Sequence, residues 1–482
     1  RLVSVGAGMV ALALVYAIGS RLFGRLAGLT ALALMTFGMS PNILARQIAP
    51  ETLLPALTGV VILALITALP VYRRRRTRGA NTTIFAALGI FLGLGLYIHP
   101  LGLMLIIACA VFVLYVNYIT ERKMSRRRNR YVRFALLLML IITIPYLTSS
   151  VRQPELNGLS RLFASDVFTA ENVVDSLASV AAVGDDNVLN NLPERPLLDP
   201  VSVFLMLFGV AYAVSRWRRS RYAILLFMAS ILGIGVIFNG NGTDFASQAV
   251  ILPVLYVLVG FGTSLLIYLL PRFLLPVGVA GLLILVAFNA VWTLNDLNNW
   301  RDSAEMERAY NGDIGRLAHY IDTHTDLPTV ICGWDPTQAP NAPQLTDAQQ
   351  IDLLLNRPNP DLRYADCNNG MVLTDGGGLQ RVILPDPTVI ESAHPQVRQW
   401  LEHGDPITDT QVPDGTVIEM QVGDALADQL GTFTVTTPIS FAPETGNTQQ
   451  FGPPVSFGGN VTFLGYATDD VGTYRPGSIV TL

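Results

Sequence analysis

Charged residues are scarce in this chain of 482 residues: they make up 14% of it, whereas 51% of the residues are hydrophobic. Soluble domains usually carry about 25% charged residues, so the composition excludes an ordinary soluble protein. Motifs of common soluble enzymes are also absent: there is no phosphate-binding glycine loop, no HExxH, no CxxC and no GxSxG. Functional residues must therefore be sought among the polar residues that border the apolar segments.

Cysteine is rarer still, with three residues in the chain. Cys109 lies within an apolar segment, whereas Cys332 and Cys367 lie in the C-terminal part. These two can form a disulfide if that part is outside the cytoplasm. Two free thiols are the alternative, because a single pair of cysteines is weak support for a bond.

Basic residues alternate between the connections of the apolar segments. Every second connection is basic and together these hold 19 basic residues, against four in the others. The basic connections are 21–25, 73–78, 122–133, 216–221 and Arg272. This is the positive-inside pattern of a polytopic membrane protein, and it predicts that the basic connections are cytoplasmic.

Ten stretches are apolar enough, or nearly so, to cross a bilayer as helices, which takes about 20 residues each. They lie at about 2–19, 26–40, 52–70, 82–98, 101–119, 134–149, 201–215, 223–238, 249–270 and 273–292. Ten crossings return the chain to its starting side, so we expect the residues after 292 to be extracytoplasmic. Residues 150–198 form a long outer loop with seven acidic residues and little apolar periodicity.

The charge changes sign after about residue 299, from a net +12 to a net −16. We therefore predict a polytopic α-helical membrane domain at 1–298 and an acidic, water-soluble part after it. Helical spacing of Ile314, Leu317 and Ile321, followed by short strands, predicts an extracytoplasmic α/β segment at 299–400. Strand-like runs such as "GTFTVTT" predict a β-sandwich at 401–482 that the end of the sequence truncates.

Candidate site residues lie where the chain re-enters the bilayer on the outer side. Arg46 departs from the inside bias, and its planar guanidinium suits a phosphate; Glu51 follows five residues later. The alternative is an Arg46–Glu51 pair that only anchors a helix end. His99, between two spans, is either a residue that lines a substrate site or part of a turn.

Two further outer connections are polar. Asp185 and Asp186 can coordinate a divalent cation through carboxylate oxygens, or they can stabilise a turn, which is the commoner role of such a sequence. Gln248, near Asp244, lies at the same face. The glycines within spans, such as Gly89, Gly93 and Gly95, are typical of close helix packing.

Three segments resemble the C-type glycosyltransferases, polyprenyl-phosphate-sugar-dependent membrane enzymes that include protein mannosyltransferases and aminoarabinose transferases. Residues 19–57 carry the "RLFGR" connection, the "SP" helix end and the Arg-x4-Glu re-entry. "GDDNVLNNLPERPLLDP" resembles the outer loop of bacterial members, and residues 463–482 resemble an accessory β-domain found in some of them.

The resemblance implies transfer of a sugar from a polyprenyl-phosphate donor to an acceptor on the outer face of the cytoplasmic membrane, with inversion. It implies a catalytic acidic residue between the family's first two helices, which we expect to precede Arg1, so that the sequence is a fragment. Arg46 is then a phosphate contact and Glu51 a second acidic residue. His99, Asp185, Asp186 and Gln248 are further substrate-binding candidates, although bacterial relatives often have arginine where Gln248 stands.

The expected partners are a lipid-linked sugar donor, membrane lipids and a glycan, lipid or protein acceptor, with no nucleic acid; a divalent cation is the one cofactor considered. Two other functions are compatible with parts of the sequence. A membrane-anchored carbohydrate-binding protein without catalysis would retain sugar binding in residues 300–482. A transporter or flippase would show charged residues in mid-span and repeated broken helices, and neither is seen.

Overall fold

The computed structural model of the chain divides into two units, unit 1 (Arg1–Tyr310) and unit 2 (Asn311–Leu482). The structure describes residues 2–71, 82–120, 124–152, 169–185, 187–238, 244–309, 312–332, 347–357, 361–367, 370–384, 389–407, 417–433, 455–457 and 461–463.

Unit 1 is built of helices throughout its described residues. They are α1 (Leu2–Phe23), α2 (Arg25–Thr36), α3 (Met39–Leu44), α4 (Leu54–Ala68), α5 (Thr82–Ile98), α6 (Gly102–Tyr118), α7 (Arg126–Arg152), α8 (Ala170–Ala181), α9 (Pro200–Ser215), α10 (Ser220–Phe238), α11 (Phe245–Gln248), α12 (Leu252–Leu269), α13 (Leu275–Arg301) and α14 (Ala304–Ala309), with 3-10 turns at Pro50–Leu53 and Arg272–Leu274.

Each of the ten predicted apolar stretches coincides with one of these helices. Within the described residues, six helices are long and apolar enough to cross a membrane, and four shorter apolar helices (α2, α5, α6 and α9) have 12 to 17 residues. These apolar helices confirm the prediction of an α-helical membrane protein. The number of crossings stays a prediction.

The central helix of unit 1 is α12, whose residues from Leu252 to Ser264 are all buried. It packs against α1, α2 and α9. A helix that is apolar on every side is stable only when other helices or lipid surround it. The predicted role of the span glycines is confirmed, because a Cβ at Gly89 would overlap the backbone of Ala135 in α7, and one at Gly93 would lie 2.8 Å from the Ile142 side chain.

The loop predicted at 150–198 contains a helix that its lack of apolar periodicity did not indicate. Its residues 170–181 form α8, which begins where the Thr169 side chain accepts the N–H of Asn172. Asp199 caps α9 in the same way through the N–H of Ser202, and Pro200 fits the first turn because no acceptor is needed for its nitrogen.

Unit 2 contains a five-stranded mixed sheet in the order β2-β1-β3-β5-β4. Strands β1, β2 and β3 are parallel, and β5 is antiparallel to both β3 and β4. The elements are α15 (Gly312–Thr323), β1 (Thr329–Cys332), α16 (Asp347–Leu354), β2 (Leu362–Ala365), β3 (Gln380–Ile383), α17 (Val389–Ser392), α18 (Pro395–Glu402), β4 (Asp405–Ile407), β5 (Val417–Met420), α19 (Gly423–Phe433), β6 (Val455–Phe457) and β7 (Val461–Phe463).

Helices cover both faces of this sheet. Val330 and Cys332 belong to a core with Val397 and Leu401 of α18. Ile331 instead belongs to a core with the α15 residues that include Ile314, as expected when successive strand residues point to opposite faces. A disulfide joins Cys332 to Cys367 at the ends of β1 and β2 and so settles the pairing that the sequence left open.

The predicted β-sandwich at 401–482 differs from the structure in two respects. Strands β4 and β5 complete the sheet begun by β1, so the sheet continues across residue 400. The prediction of a strand in "GTFTVTT" is wrong at its start, because Gly431–Phe433 form the last turn of α19. The preceding residues of this helix include good helix formers such as alanine and leucine, and Asp424 in its first turn interacts favourably with the helix dipole. β6 and β7 form an antiparallel pair, and most of residues 434–482 lie outside the described residues.

Candidate functional site

Short elements between the long helices bring most of the predicted site residues to one end of unit 1. The 3-10 turn Pro50–Leu53, which contains Glu51, contacts α5 and α11. His99 follows α5 directly, and the charges of Glu51 and Asp244 both act on it. We call Glu51, His99, Asp185, Asp244 and Gln248 the polar cluster. This end of the unit, which the alternation of basic connections predicts to be extracytoplasmic, we call the outer face.

Hydrogen bonds link the elements of the polar cluster. Asn190 Nδ2 donates to Asp244 Oδ1 at 2.7 Å, and Gln47 Nε2 donates to the Leu189 carbonyl. Asp244 also caps α11 by accepting the N–H groups of Ala246 and Ser247. Three outer connections that are far apart in sequence are therefore tied into one surface.

Asp185 has a structural part in this surface. It is 3% exposed, and its Oδ1 accepts the N–H of Asn187 while its Oδ2 accepts the N–H of Phe245, both at 2.9 Å. Burial raises the pKa of this carboxyl, and the two N–H donors oppose that effect by stabilising the charged form. The bond from the N–H of Asn187 stabilises a turn, as the sequence predicted for Asp185. Asp186 lies outside the described residues.

Gln248 is also held within the protein rather than open to solvent. It is 2% exposed, and its Nε2 donates to Ser179 Oγ of α8 at 2.7 Å. Ser179 Oγ in turn donates to the Ser176 carbonyl. The role predicted for Gln248 in substrate binding stays a prediction, and its observed role is to attach α8 to α11.

His99 has one ring nitrogen engaged. Its Nδ1 accepts the backbone N–H of Leu101 at 3.2 Å, so a neutral imidazole carries its proton on Nε2. Burial lowers the pKa of His99 from its ordinary value of 6.5, against the neighbouring carboxylates of Glu51 and Asp244, which raise it. His99 is thus neutral at pH 7 and has an N–H to donate.

Arg46 and Glu51 do not form the ion pair considered as an alternative, since no salt bridge joins them in the described structure. Arg46 is exposed just after α3, and Glu51 is half-buried. The guanidinium of Arg46 is therefore accessible to an anion from outside the protein. The phosphate contact assigned to it remains a prediction.

Sequence reasoning missed a buried ion pair beside the cluster. Arg195 Nη1 lies 2.6 Å from Asp296 Oδ2, and the guanidinium carbon lies 3.2 Å from the centre of the Trp292 ring. The signal was available, because Asp296 is an isolated acidic residue near the end of an apolar stretch, where a charge is usually paired.

A small polar cavity adjoins this ion pair and is lined by Arg195, Asp199, Ser202, Tyr256 and Asn289 together with apolar neighbours. The Tyr256 hydroxyl is buried and has no hydrogen-bond partner among the described residues. The described residues also contain no group of three or more histidine, cysteine, aspartate or glutamate side chains that could hold a metal ion.

Residues 1–148 match the dolichyl-phosphate-mannose-protein mannosyltransferase family. The predicted resemblance is confirmed over this segment. The same match confirms the predicted enzyme class, a membrane glycosyltransferase. The matched part includes α1 to α6, Arg46, Glu51 and His99, but neither the outer loop after α7 nor unit 2. No curated protein matches the chain significantly.

Solved structures similar to this chain include ArnT from Cupriavidus metallidurans in the apo state, at 13% identity over 88% of this chain and 84% of that one, with a TM-score of 0.42. ArnT bound to undecaprenyl phosphate gives 13%, the same coverage and a TM-score of 0.41. The archaeal oligosaccharyltransferase AglB from Archaeoglobus fulgidus, in complex with an inhibitory peptide and a dolichol-phosphate, gives 14% over 68% and 50%, with a TM-score of 0.38. At such TM-scores these structures assign no role to individual residues here.

Proposed function

We propose that this protein transfers a sugar from a polyprenyl-phosphate donor to an acceptor at the outer face, with inversion at the sugar carbon. The observation that carries the proposal is the match of residues 1–148 to the mannosyltransferase family. The polar cluster supports it, because this cluster lies at one end of the membrane helices, where a lipid-linked headgroup can reach it. The acceptor is a glycan, a lipid or a protein.

Arg46 is the residue proposed to hold the donor phosphate. Departure of the lipid phosphate leaves negative charge on its oxygens, and a guanidinium fork stabilises that charge with two parallel hydrogen bonds. Arg46 is exposed and has no carboxylate partner in the described structure, so no internal ion pair must break before it binds the phosphate.

Glu51 and His99 are proposed to contact the sugar or the acceptor. The Glu51 carboxylate can accept a proton or a hydrogen bond from an acceptor hydroxyl. His99, neutral with its proton on Nε2, can donate a hydrogen bond to the same substrate. A divalent cation bound by Asp186 is an optional part of this proposal. Asp185 is a poor ligand for it, because both of its carboxylate oxygens already accept backbone N–H groups.

The proposed location is the cytoplasmic membrane, with the polar cluster and unit 2 on the extracytoplasmic side. The alternation of basic connections supports this orientation. The Cys332–Cys367 disulfide supports it as well, because structural disulfides persist in oxidising compartments.

The test is sugar transfer in proteoliposomes by the full-length protein, including the residues expected to precede Arg1, with a labelled polyprenyl-phosphate sugar and Arg46→Ala and Glu51→Gln variants. We expect each to lower kcat/KM about a hundredfold, because Arg46→Ala removes a group that stabilises developing charge and Glu51→Gln removes a proton acceptor. Arg301→Ala and Asp302→Asn are matched controls, because these residues are exposed and paired with each other.

Unchanged transfer by both site variants would contradict the assigned residues. An absence of transfer by the unmodified full-length protein, together with sugar binding that survives in Arg46→Ala, would instead favour a membrane-anchored carbohydrate-binding protein.

A further inference from the structure

A cavity of about 350 Å³ opens on the side of the helices α1, α4 and α5. Its lining consists of Leu14, Arg21, Val60, Leu63, Ala64, Thr67, Thr83, Ile84 and Ala87. None of these residues belongs to the polar cluster, so the cavity is a separate feature of unit 1.

The lining of the cavity is polar at one end and apolar along the rest. Arg21 lies near the end of α1, Thr67 near the end of α4 and Thr83 near the start of α5, so all three lie at the same end of the helices. Leu14 and Val60 each precede the polar residue of their helix by seven positions, which places them about 10 Å further along the axis. The cavity therefore has the polarity of a lipid, with a headgroup end and a chain end.

The polar end carries a positive charge. Arg21 Nη1 donates to Thr67 Oγ1 at 2.8 Å, and Thr67 Oγ1 donates to the Leu63 carbonyl at 2.7 Å, so the guanidinium is held at the mouth of the cavity. Arg21 is exposed, forms no ion pair with a carboxylate in the described part of the chain, and has no acidic neighbour in the lining. Its other N–H groups can bind a phosphate.

We propose that this cavity binds one acyl chain of an anionic phospholipid, with the lipid phosphate on Arg21. The lipid comes from the leaflet at the arginine-rich end, which the alternation of charges assigns to the cytoplasm, where anionic lipids attract basic residues. The polyprenyl donor is not the occupant, because Thr83 and His99 lie at opposite ends of α5, about 24 Å apart. This inference does not rest on the proposed transfer reaction.

The test compares the binding of phosphatidylglycerol and phosphatidylcholine with identical acyl chains to the detergent-purified full chain, by native mass spectrometry. We expect phosphatidylglycerol to bind about fivefold more tightly, the effect of one basic residue at an anionic headgroup. Arg21→Gln should remove this preference. Arg25→Gln should keep it, because Arg25 lies in the same connection but does not line the cavity.

A second variant separates the chain site from the charge. Ala87→Phe fills the apolar end and should weaken the binding of both lipids while Arg21 remains. Equal binding of the two lipids by the unmodified protein would overturn the proposal. So would a preference that survives Arg21→Gln, an equal loss in Arg25→Gln, or displacement of phosphatidylglycerol by polyprenyl phosphate.

Discussion

Arg195 is a buried charged residue whose charge is compensated within the fold. It is 7% exposed, and its charge is balanced by Asp296, which belongs to another element 101 positions along the chain. The guanidinium of Arg195 also stacks on the Trp292 ring, and its Nη2 donates a hydrogen bond to Thr293 Oγ1 at 3.4 Å. Removing one member of such a buried pair leaves the other charge without compensation.

We therefore expect Arg195→Met to lower the free energy of unfolding by about 3–5 kcal/mol. The measurement is thermal or denaturant unfolding of the purified protein in one detergent. Arg301→Met is the control, because the Arg301–Asp302 pair is 68% and 64% exposed and exposed pairs contribute about 1 kcal/mol or less. Equal effects of the two substitutions would show that the Arg195 pair is not the stabilising contact described.

For individual residues, the sequence predicts where a side chain lies better than it predicts what the side chain contacts. The sequence places Arg46 and Glu51 at a predicted re-entry into the bilayer, and the structure places Glu51 near His99. The bonds of Asp185 and Gln248 could not be predicted, because their partners Phe245 and Ser179 are 60 and 69 positions away. Nothing local in the sequence records such distant contacts.

Among the helices, the crossing of α9 and α12 depends on two glycines. A Cβ at Gly209 would lie 2.8 Å from the Leu258 carbonyl oxygen and 3.1 Å from the Gly262 nitrogen, and a Cβ at Gly262 would overlap the Leu205 backbone. Small residues at such crossings let the two backbones approach closely.

We expect Gly262→Ala to force α9 and α12 apart and to lower the free energy of unfolding by about 1–3 kcal/mol, the usual cost of overpacking. Gly281→Ala in α13 is the matched control, because a Cβ there meets nothing within 4 Å. Helix propensity alone would make both substitutions stabilising by up to about 1 kcal/mol. A gain in stability at both positions would contradict the close packing described.

The apolar helices were predictable because a membrane span needs a long continuous apolar run. Helix α8 was not, since its pattern is inverted: Ser176 and Ser179 are buried, whereas Val174 and Leu177 are exposed. Its inner face combines a polar contact, from Gln248 to Ser179, with the packing of Val180 against the hydrophobic core of unit 1. In unit 2 the assignment of β4 and β5 to the same sheet as β1 depends on pairing between distant segments, which local alternation cannot reveal.

For the molecule as a whole, the cysteines report on compartment. The structure pairs Cys332 with Cys367 and leaves Cys109 buried as a free thiol. Protein isolated without reductant should therefore show one alkylatable thiol after denaturation, and three after denaturation with reductant. Mass spectrometry of the alkylated chain gives both counts.

The Cys109→Ser variant is the control, and both counts should fall by one. Reduction should also destabilise unit 2 by roughly 3–4 kcal/mol, because the bond closes a loop spanning 35 positions. Three thiols before reduction, in protein isolated from its native membrane, would place unit 2 in a reducing compartment and contradict the proposed orientation.

The contacts made by α13 have a consequence for how the protein is made. Thr293 Oγ1 donates to the Phe37 carbonyl across 256 positions, and Asp296 pairs with Arg195. At about 5–20 residues per second, ribosomes synthesise Asp296 about 5–20 s after Arg195. During that interval Arg195 has not yet met Asp296. The Arg195–Asp296 ion pair and the Thr293–Phe37 hydrogen bond can therefore form only after α13 has been synthesised. A chain that ends before α13 contains the charge of Arg195 without that of Asp296.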